Sequence, residues 1–568
     1  MAFDDSTILE PLRAIGRALP AALSAAAVVT AWPFFALPAW STRARLLAGG
    51  VVGTTLLLVA VAGLLLALVL AARSRLGRAA LPIAALAAGG LLLAVPARPL
   101  LGSEPFQLGG RLAGWTLLAA AAALPPLRGR TFLRLGAALA AATLGAGIAL
   151  APPVRPDILL VTVDTLRADR INAPGFAHLA PNVQRFAKGA VRFTRAWSTA
   201  PWTIPSMSSI FTGIHPTGHG ARFCSDLSEA APISRWWFTD GPVRSPNPVF
   251  TSMSGAVETL PQALSRGGYL TAGFTDWFFV SSRTGFARGF DVFDFSAHDH
   301  DDLVADASVS WLRRARPSSL RPVFLFVHFF GPHQPYEAPR DAPRRSPRAD
   351  VSLPTGCFDV WHSELNGTLV AQSVMRGEVP LHPAVLGHIA HLYDEEVRTV
   401  DRRFASLLAA FDEEAAPGGG ALVALTADHG DFLGEKVLLD HGHYVFDPVL
   451  RVPLLVRFPR SWNVTPREFT GAVSSHDVYP TLLRAGGVTP RHPLSSEDLR
   501  ATLAAPEGSG RRLLSENDVH DAMVLLFGDR FAHRFEAVTD GRWKMILTDG
   551  RDVELDERYH AGVYGIPD

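Results

Sequence analysis

Residues 421–435 read ALVALTADHGDFLGE, a run that is apolar apart from Thr426 and then breaks into side chains that bind metals or move protons. Two other stretches share the form. DILLVTVDTLRADR (157–170) passes from a hydrophobic run into Asp164, and PVFLFVHFFGPHQPY (322–336) passes into His333. Short continuous apolar runs mark strands buried on both faces, and with amphipathic stretches between them they predict a mostly parallel sheet covered by helices. In open sheets of this kind ligands bind beyond the carboxyl ends of the strands, so Asp164, His333, Asp428 and His429 are expected to converge there. A fourth stretch, APWTIPSMSSIFTG (200–213), reads as a turn entering a helix, with Thr203 at the N-cap and Pro205 just inside.

The rest of the chain is of two kinds. Of 568 residues 48% are hydrophobic and 19% charged, and the mean hydropathy of +0.18 is too high for an ordinary soluble protein of this size. The excess lies in residues 1–155. Uncharged stretches of 25, 27, 19, 16 and 20 residues separate Arg17 from Arg43, Arg45 from Arg73, Arg78 from Arg98, Arg111 from Arg128 and Arg134 from Arg155. A bilayer span needs about 17–25 apolar residues, so these predict a membrane domain of about five transmembrane helices, the fourth being the shortest. The loops at Arg73/Arg75/Arg78 and Arg128/Arg130/Arg134 carry three arginines each and the other two carry two. Placing the richer loops inside predicts a multi-pass protein of the cytoplasmic (inner) membrane, with residue 156 onward on the outer, periplasmic side. The first span is expected to act as an uncleaved export signal.

The net charge of zero divides into +9 for residues 1–155 and −9 for the remainder. An acidic exported part lacks the surplus of positive charge that nucleic-acid binding requires, so no nucleic-acid partner is expected. Residues 156–464 are expected to form the catalytic α/β domain and 465–568 its C-terminal part. There WKMIL, an Asp549-Gly550 turn and RDVEL predict a hairpin in a small antiparallel subdomain. Cys224 and Cys357 both fall in the exported part, where one disulfide or two buried thiols are equally open.

Taken in order, these elements resemble the sulfatase branch of the alkaline phosphatase superfamily. VTVDTLRADR is similar to that family's first metal-binding strand, and PWTIPSMSSIFTGIHPTGHG stands at its nucleophile motif, C/S-x-P-S-R. FVHFFGPHQPY is similar to its H-x-P-Y segment, and TADHGDFLGEKVLLDHGHYVFDPVLRVPLLVRFP to its most diagnostic block. The resemblance implies a divalent cation (Mn, Zn, Ca or Mg) held by Asp164, Asp428 and His429, with the Thr203 oxygen as a fourth ligand. A hydroxyl is a poor nucleophile unless a metal or base draws off its proton, which gives Thr203 a reason to stand there. His333 and His441 are then expected to hold the ester oxygens or protonate the leaving group. Each residue also has a plainer alternative: a capping Thr203, loop-capping aspartates, hydrogen-bonded core histidines. Lys436 and His443 are read as surface or supporting residues, and Trp202 as packing.

Three departures separate the chain from sulfatases that use formylglycine. Thr203 replaces the Cys or Ser that is oxidised to the aldehyde, Met207 replaces the motif's Arg, and Thr165 replaces a frequent second Asp. These features resemble lipoteichoic acid synthases and the phosphoethanolamine transferases of lipid A, which use an unmodified Thr on a metal and follow five membrane spans. The expectation is a membrane-anchored hydrolase or transferase acting on phosphate-type, or sulfate, esters of an anionic lipid or glycan. A sulfuric ester hydrolase working without formylglycine and a non-enzymatic membrane sensor or scaffold are the alternatives. Substrate choice is expected to lie in the loops around 225–250 and 337–385.

Overall fold

The computed structural model describes residues 155–224, 249–295, 301–316, 321–334, 336, 374–375, 383–414, 420–504, 510–519, 524, 531–549 and 552–555. The five expected spans lie outside the described residues, as do Cys357 and most of the two loops expected to set specificity. Among the described residues no helix is long and apolar enough to cross a membrane.

All three apolar runs are strands of one sheet. Its nine strands are β1 (Asp157–Val163), β2 (Val191–Trp197), β3 (Leu270–Thr275), β4 (Val292–Asp294), β5 (Val323–Phe329), β6 (Ala421–Ala427), β7 (Arg451–Arg457), β8 (Arg467–Phe469) and β9 (Val473–Ser474). The order across the sheet is β8-β2-β7-β6-β1-β5-β3-β4, with β9 also on β2. From β6 to β4 every pairing is parallel, while β7 runs antiparallel to both β6 and β2. Every residue of β1 and of β5 is buried, and apart from Asp157, Thr162 and His328 every one is apolar, as strands covered on both faces require. Burying each Val, Leu, Ile or Phe there contributes roughly 1.5–3 kcal/mol.

Register, more than strand identity, places the site. Val163 of β1 lies opposite Ala427 of β6 and Phe329 of β5. The next residue of each outer partner pair, Asp164 and Asp428, therefore leaves adjacent parallel strands at one level, about 4.8 Å apart. Asp164 N–H still donates to Phe329 O at 2.9 Å, so the sheet fixes the backbone of Asp164 itself.

Helix α1 (Thr203–Thr212) is buried along its whole length. It ends at Gly213, which has φ +70° and no room for a Cβ beside the Tyr479 ring and Ser496 Oγ, so only glycine closes it there. Two other helices bear on the site: the long α2 (Pro383–Glu414) and α3 (Val478–Gly486), which packs against α1.

The hairpin expected near the C-terminus is present, as part of a four-stranded antiparallel sheet. Its strands are β10 (Leu513–Asn517), β11 (Phe535–Thr539), β12 (Lys544–Thr548) and β13 (Asp552–Leu555). This small sheet grips the segment that leads into α1. Glu516 N–H donates to Thr199 O at 2.8 Å and Ser515 Oγ–H to Ser198 O at 2.6 Å. Lys544 Nζ meets Asp447 Oδ1 at 2.7 Å in a fully buried ion pair.

Candidate active site

Asp164, Asp428, His429 and Thr203 come together at the ends of β1 and β6 and the start of α1. The Thr203 hydroxyl donates to Asp164 Oδ2 at 3.4 Å and lies 3.3 Å from His429 Nε2. That nitrogen is also 3.5 Å from Asp164 Oδ1 and 3.4 Å from Asp428 Oδ2. All four side chains are buried.

The expected N-cap role of Thr203 is corrected. Trp202 is the extended residue before the helix, and Thr203 is the first helical residue. A cap at 203 would serve the N–H of 205 or 206; Pro205 has none, and Ser206 N–H already donates to Trp202 O at 3.4 Å. The hydroxyl is thus left free to turn toward Asp164 and His429. Trp202 packs as expected, stacked on Phe223 with ring centroids 3.7 Å apart. Ser206 ties the helix to the end of β6 through its hydroxyl, which donates to Asp428 O at 2.6 Å. A Cβ at Gly430 would run into the Pro448 carbonyl oxygen, so the glycine of D-H-G is a steric necessity.

The donor set fits a divalent cation. His429 Nδ1–H is committed to Gly430 O at 2.9 Å, so Nε2 turns its lone pair toward Asp164 Oδ1, Asp428 Oδ2 and Thr203 Oγ1. Among the described residues, Asp164 Oδ1, Thr165 Oγ1, Asp428 Oδ2 and His328 Nε2 are buried polar atoms with no hydrogen-bond partner. Acceptors that face one another without a proton between them need positive charge at their centre. The ligand atoms of Asp164, Asp428 and His429 all lie within 4.8 Å of one another, close enough for one ion. Burial pushes the Asp164 carboxyl up to about 8, against the pull of His441 and Thr203. Burial also raises Asp428, with the Asp164 charge adding to it, and lowers His429.

His441 and His333 stand beside this cluster. The His441 ring centroid is 4.5 Å from that of His429 and 4.9 Å from that of His333. His441 Nδ1 lies 3.0 Å from Asp440 Oδ1 and 3.3 Å from Asp431 Oδ1. Burial opposes charging of His441, but the two carboxylates outweigh it and hold the imidazolium well above the ordinary histidine range. His333 is the reverse: burial, with His441 adding to it, takes it down to about 3, and its Nδ1–H donates to Gln334 O at 2.5 Å. One histidine of the pair is therefore charged and the other neutral. His443 is buried, with its ring nitrogen on Leu439 O at 2.9 Å, and Lys436 lies 4.8 Å over the Phe446 ring.

Several residues of the site were not singled out from sequence. Asp431 and Asp440 stand inside the quoted D-H-G-D and D-H-G-H, two residues after His429 and one before His441. Tyr336, whose hydroxyl donates to Asp431 Oδ2, closes the H-Q-P-Y segment. His328 is hidden within the apolar run of β5; it pairs with Thr162 at 2.8 Å and lies 3.5 Å from Asp164 Oδ2.

A buried acid and imidazole cluster at the strand ends of a mostly parallel sheet, with a hydroxyl at the head of a helix aimed into it, defines the hydrolases of the alkaline phosphatase superfamily. The Sulfatase family model matches residues 156–488, more than half of the chain, and the chain belongs to the sulfatase family. It is similar to the extracellular sulfatase SULF-1 homolog of Drosophila melanogaster, 24% identical over 353 residues, which are 59% of this chain and 30% of that protein. The chain thus spans less than a third of that relative's length. Among solved structures it is similar to the phosphonate monoester hydrolase of Agrobacterium radiobacter, with 17% identity over 71% of this chain and 89% of that one, TM-score 0.50. It is also similar to a 2-O GAG sulfatase, with 17% identity over 72% and 88%, TM-score 0.52. At these identities the likeness to solved structures concerns the fold.

Proposed function

We propose that this protein cleaves or transfers a phosphate-type ester with Thr203 as its nucleophile, from a domain anchored outside a cytoplasmic membrane by the five apolar stretches of residues 1–155. The observation that carries the reading is the buried Thr203 hydroxyl, 3.4 Å from Asp164 Oδ2 and 3.3 Å from His429 Nε2. Met207 at the motif's arginine position is buried and apolar, which suits an unmodified hydroxyl and not an aldehyde hydrate. A divalent cation held by Asp164, Asp428 and His429 would neutralise the buried negative charge and acidify the hydroxyl.

The chain's own residues then divide the work. Thr203 Oγ1 forms a bond to phosphorus, its proton passing toward Asp164 Oδ2, while the bond from phosphorus to the leaving oxygen breaks. His441, with Nδ1 engaged by Asp431 and Asp440, has Nε2–H left to donate to that oxygen. Water, or a lipid or glycan hydroxyl, next attacks the phosphothreonine and gives its proton to His441, while the bond from phosphorus to Thr203 Oγ1 breaks and the proton held at Asp164 returns to that oxygen. Sulfate esters are the second reading, favoured by the sulfatases among the similar proteins.

The test is to incubate purified full-length protein briefly with phosphate mono- and diesters and with an aryl sulfate, and to weigh the peptide that contains Thr203. A phosphoryl group on Thr203 and faster turnover of phosphate esters are expected. A clear preference for sulfate, or unaltered activity in Thr203→Ala, overturns the proposal.

A further inference from the structure

We propose that Tyr393, on α2, is a positioning residue for the cation cluster, holding the turn after β1 in the conformation that aims it. The inference rests on the reading that Asp164, Asp428 and His429 hold a divalent cation.

Thr165 is the pivot of this turn. Its φ is +54°, in the left-handed region that a β-branched residue rarely adopts. In that conformation Thr165 N–H donates to Asp428 Oδ1 at 3.3 Å, so the β1 turn holds the aspartate of β6. Nothing in the Thr165 side chain rewards the conformation, since its hydroxyl is buried without a hydrogen-bond partner among the described residues. The restraint comes from outside the turn. Tyr393, fully buried and more than two hundred residues away in sequence, donates its hydroxyl proton to Thr165 O at 2.8 Å. The Tyr393 hydroxyl oxygen in turn accepts from Arg167 N–H at 2.9 Å.

One phenol therefore staples residues 165 and 167 by being donor and acceptor at once, which a phenylalanine cannot do. Arg167 is itself anchored, to Glu435 Oε1 at 2.7 Å and Asp431 O at 3.1 Å, so the staple is tied to the segment after β6 as well. Partners that orient metal-binding side chains typically govern affinity for the metal.

The test measures Mn2+ binding to full-length protein by calorimetry, together with thermal unfolding without metal. Tyr393→Phe is expected to weaken Mn2+ binding about tenfold or more in protein that remains folded, with a lowered metal-free melting temperature because Thr165 O and Arg167 N–H lose a buried partner. Thr165→Gly removes the strain that the staple opposes, so Tyr393→Phe made in that background should change the Mn2+ dissociation constant by less than about twofold. Wild-type affinity in Tyr393→Phe overturns the proposal. So does an undiminished loss in the Thr165→Gly background, which also decides the matter if the single variant folds poorly. If Asp428→Asn also leaves Mn2+ binding unchanged, the cation reading itself has failed, a result distinct from failure of Tyr393 alone.

Discussion

Helix α1 has histidines around both of its ends, and the two groups are built on opposite terms. At the N-terminal end, His429 Nε2 faces two carboxylates and the Thr203 hydroxyl, and Asp164 Oδ1 and Asp428 Oδ2 have no hydrogen-bond partner among the described residues. Along the rest of the helix and beyond it, the polar side-chain atoms of His219, His476 and Asp477 all have partners. His219 Nδ1 accepts from Ala221 N–H at 3.0 Å, and its Nε2 meets Ser209 Oγ at 3.0 Å and Pro205 O at 3.1 Å. His476 sits between Ser474 Oγ and Ser495 Oγ, and His492 donates to Thr212 O at 2.7 Å. Asp477 accepts at Oδ1 from Glu497 N–H and Arg511, and at Oδ2 from Ser474 N–H and Arg511. Buried histidines are common to both groups, so burial does not mark chemistry. Carboxylate oxygens left facing one another do.

The contrast breaks most visibly at Thr203. Thr203→Ala should lower turnover by roughly 10^4-fold or more, because no other described hydroxyl lies between Asp164 and His429. Its thermal unfolding should stay near wild type, since the hydroxyl caps nothing. Activity assays and a melting curve on one preparation suffice, and a large loss of stability would return Thr203 to the packing class. His219→Ala should do the opposite. It leaves Pro205 O, Ser209 Oγ and Ala221 N–H without their partner and opens a cavity, costing about 2–4 kcal/mol. Turnover per folded molecule should remain within a few-fold; a collapse like that of Thr203→Ala would erase the distinction between the two groups.

The cation sharpens the comparison from the ligand side. With Mn2+ at about 100 times its dissociation constant, binding should stabilise the protein by about 2.7 kcal/mol. A chelator should remove that increment and the activity together. Asp428→Asn keeps the volume and the Oδ1 hydrogen bonds but halves the facing carboxylate charge, so its melting temperature should no longer respond to Mn2+. A full response in that variant would place the ion elsewhere.

How much of this was legible in the sequence follows from the kind of information each feature needs. The three central strands were legible because a strand buried on both faces is largely apolar, and the strand-end rule brought Asp164 to Asp428 and His429. Parallel register did the rest, through the pairing of Val163 with Ala427. Thr203 lies beside Asp164 and His429, but its local role differs from the expected cap, because capping preference is read from neighbours and the hydroxyl answers to residues 39 and 226 positions away. His328 and Tyr393 were not legible at all. The first looks like an interruption of an apolar run, and the second like an ordinary aromatic on a long helix; both acquire meaning only from partners that folding supplies.

The smallest expected effect tests the second group of histidines by pH. Burial holds His219 and His476 down to about 3, against 6.5 for the free side chain. Below pH 6.5 the unfolded chain takes up protons at both positions while the native protein does not, so the unfolded state is favoured progressively. Stability is therefore complete above about pH 6.5 and falls as the pH drops toward 3. The expected loss is about 1 kcal/mol per histidine between pH 6.5 and 5.5. Unfolding of Thr203→Ala, measured at the two pH values without metal, reads this slope with the Thr203 hydroxyl removed, and His476→Gln in the same background should reduce the total loss by about 1 kcal/mol. A slope unchanged by His476→Gln would mean that the imidazole is charged in the native state. The serines and carbonyls around it would then be serving a cation, and the second group would differ from the first in degree only.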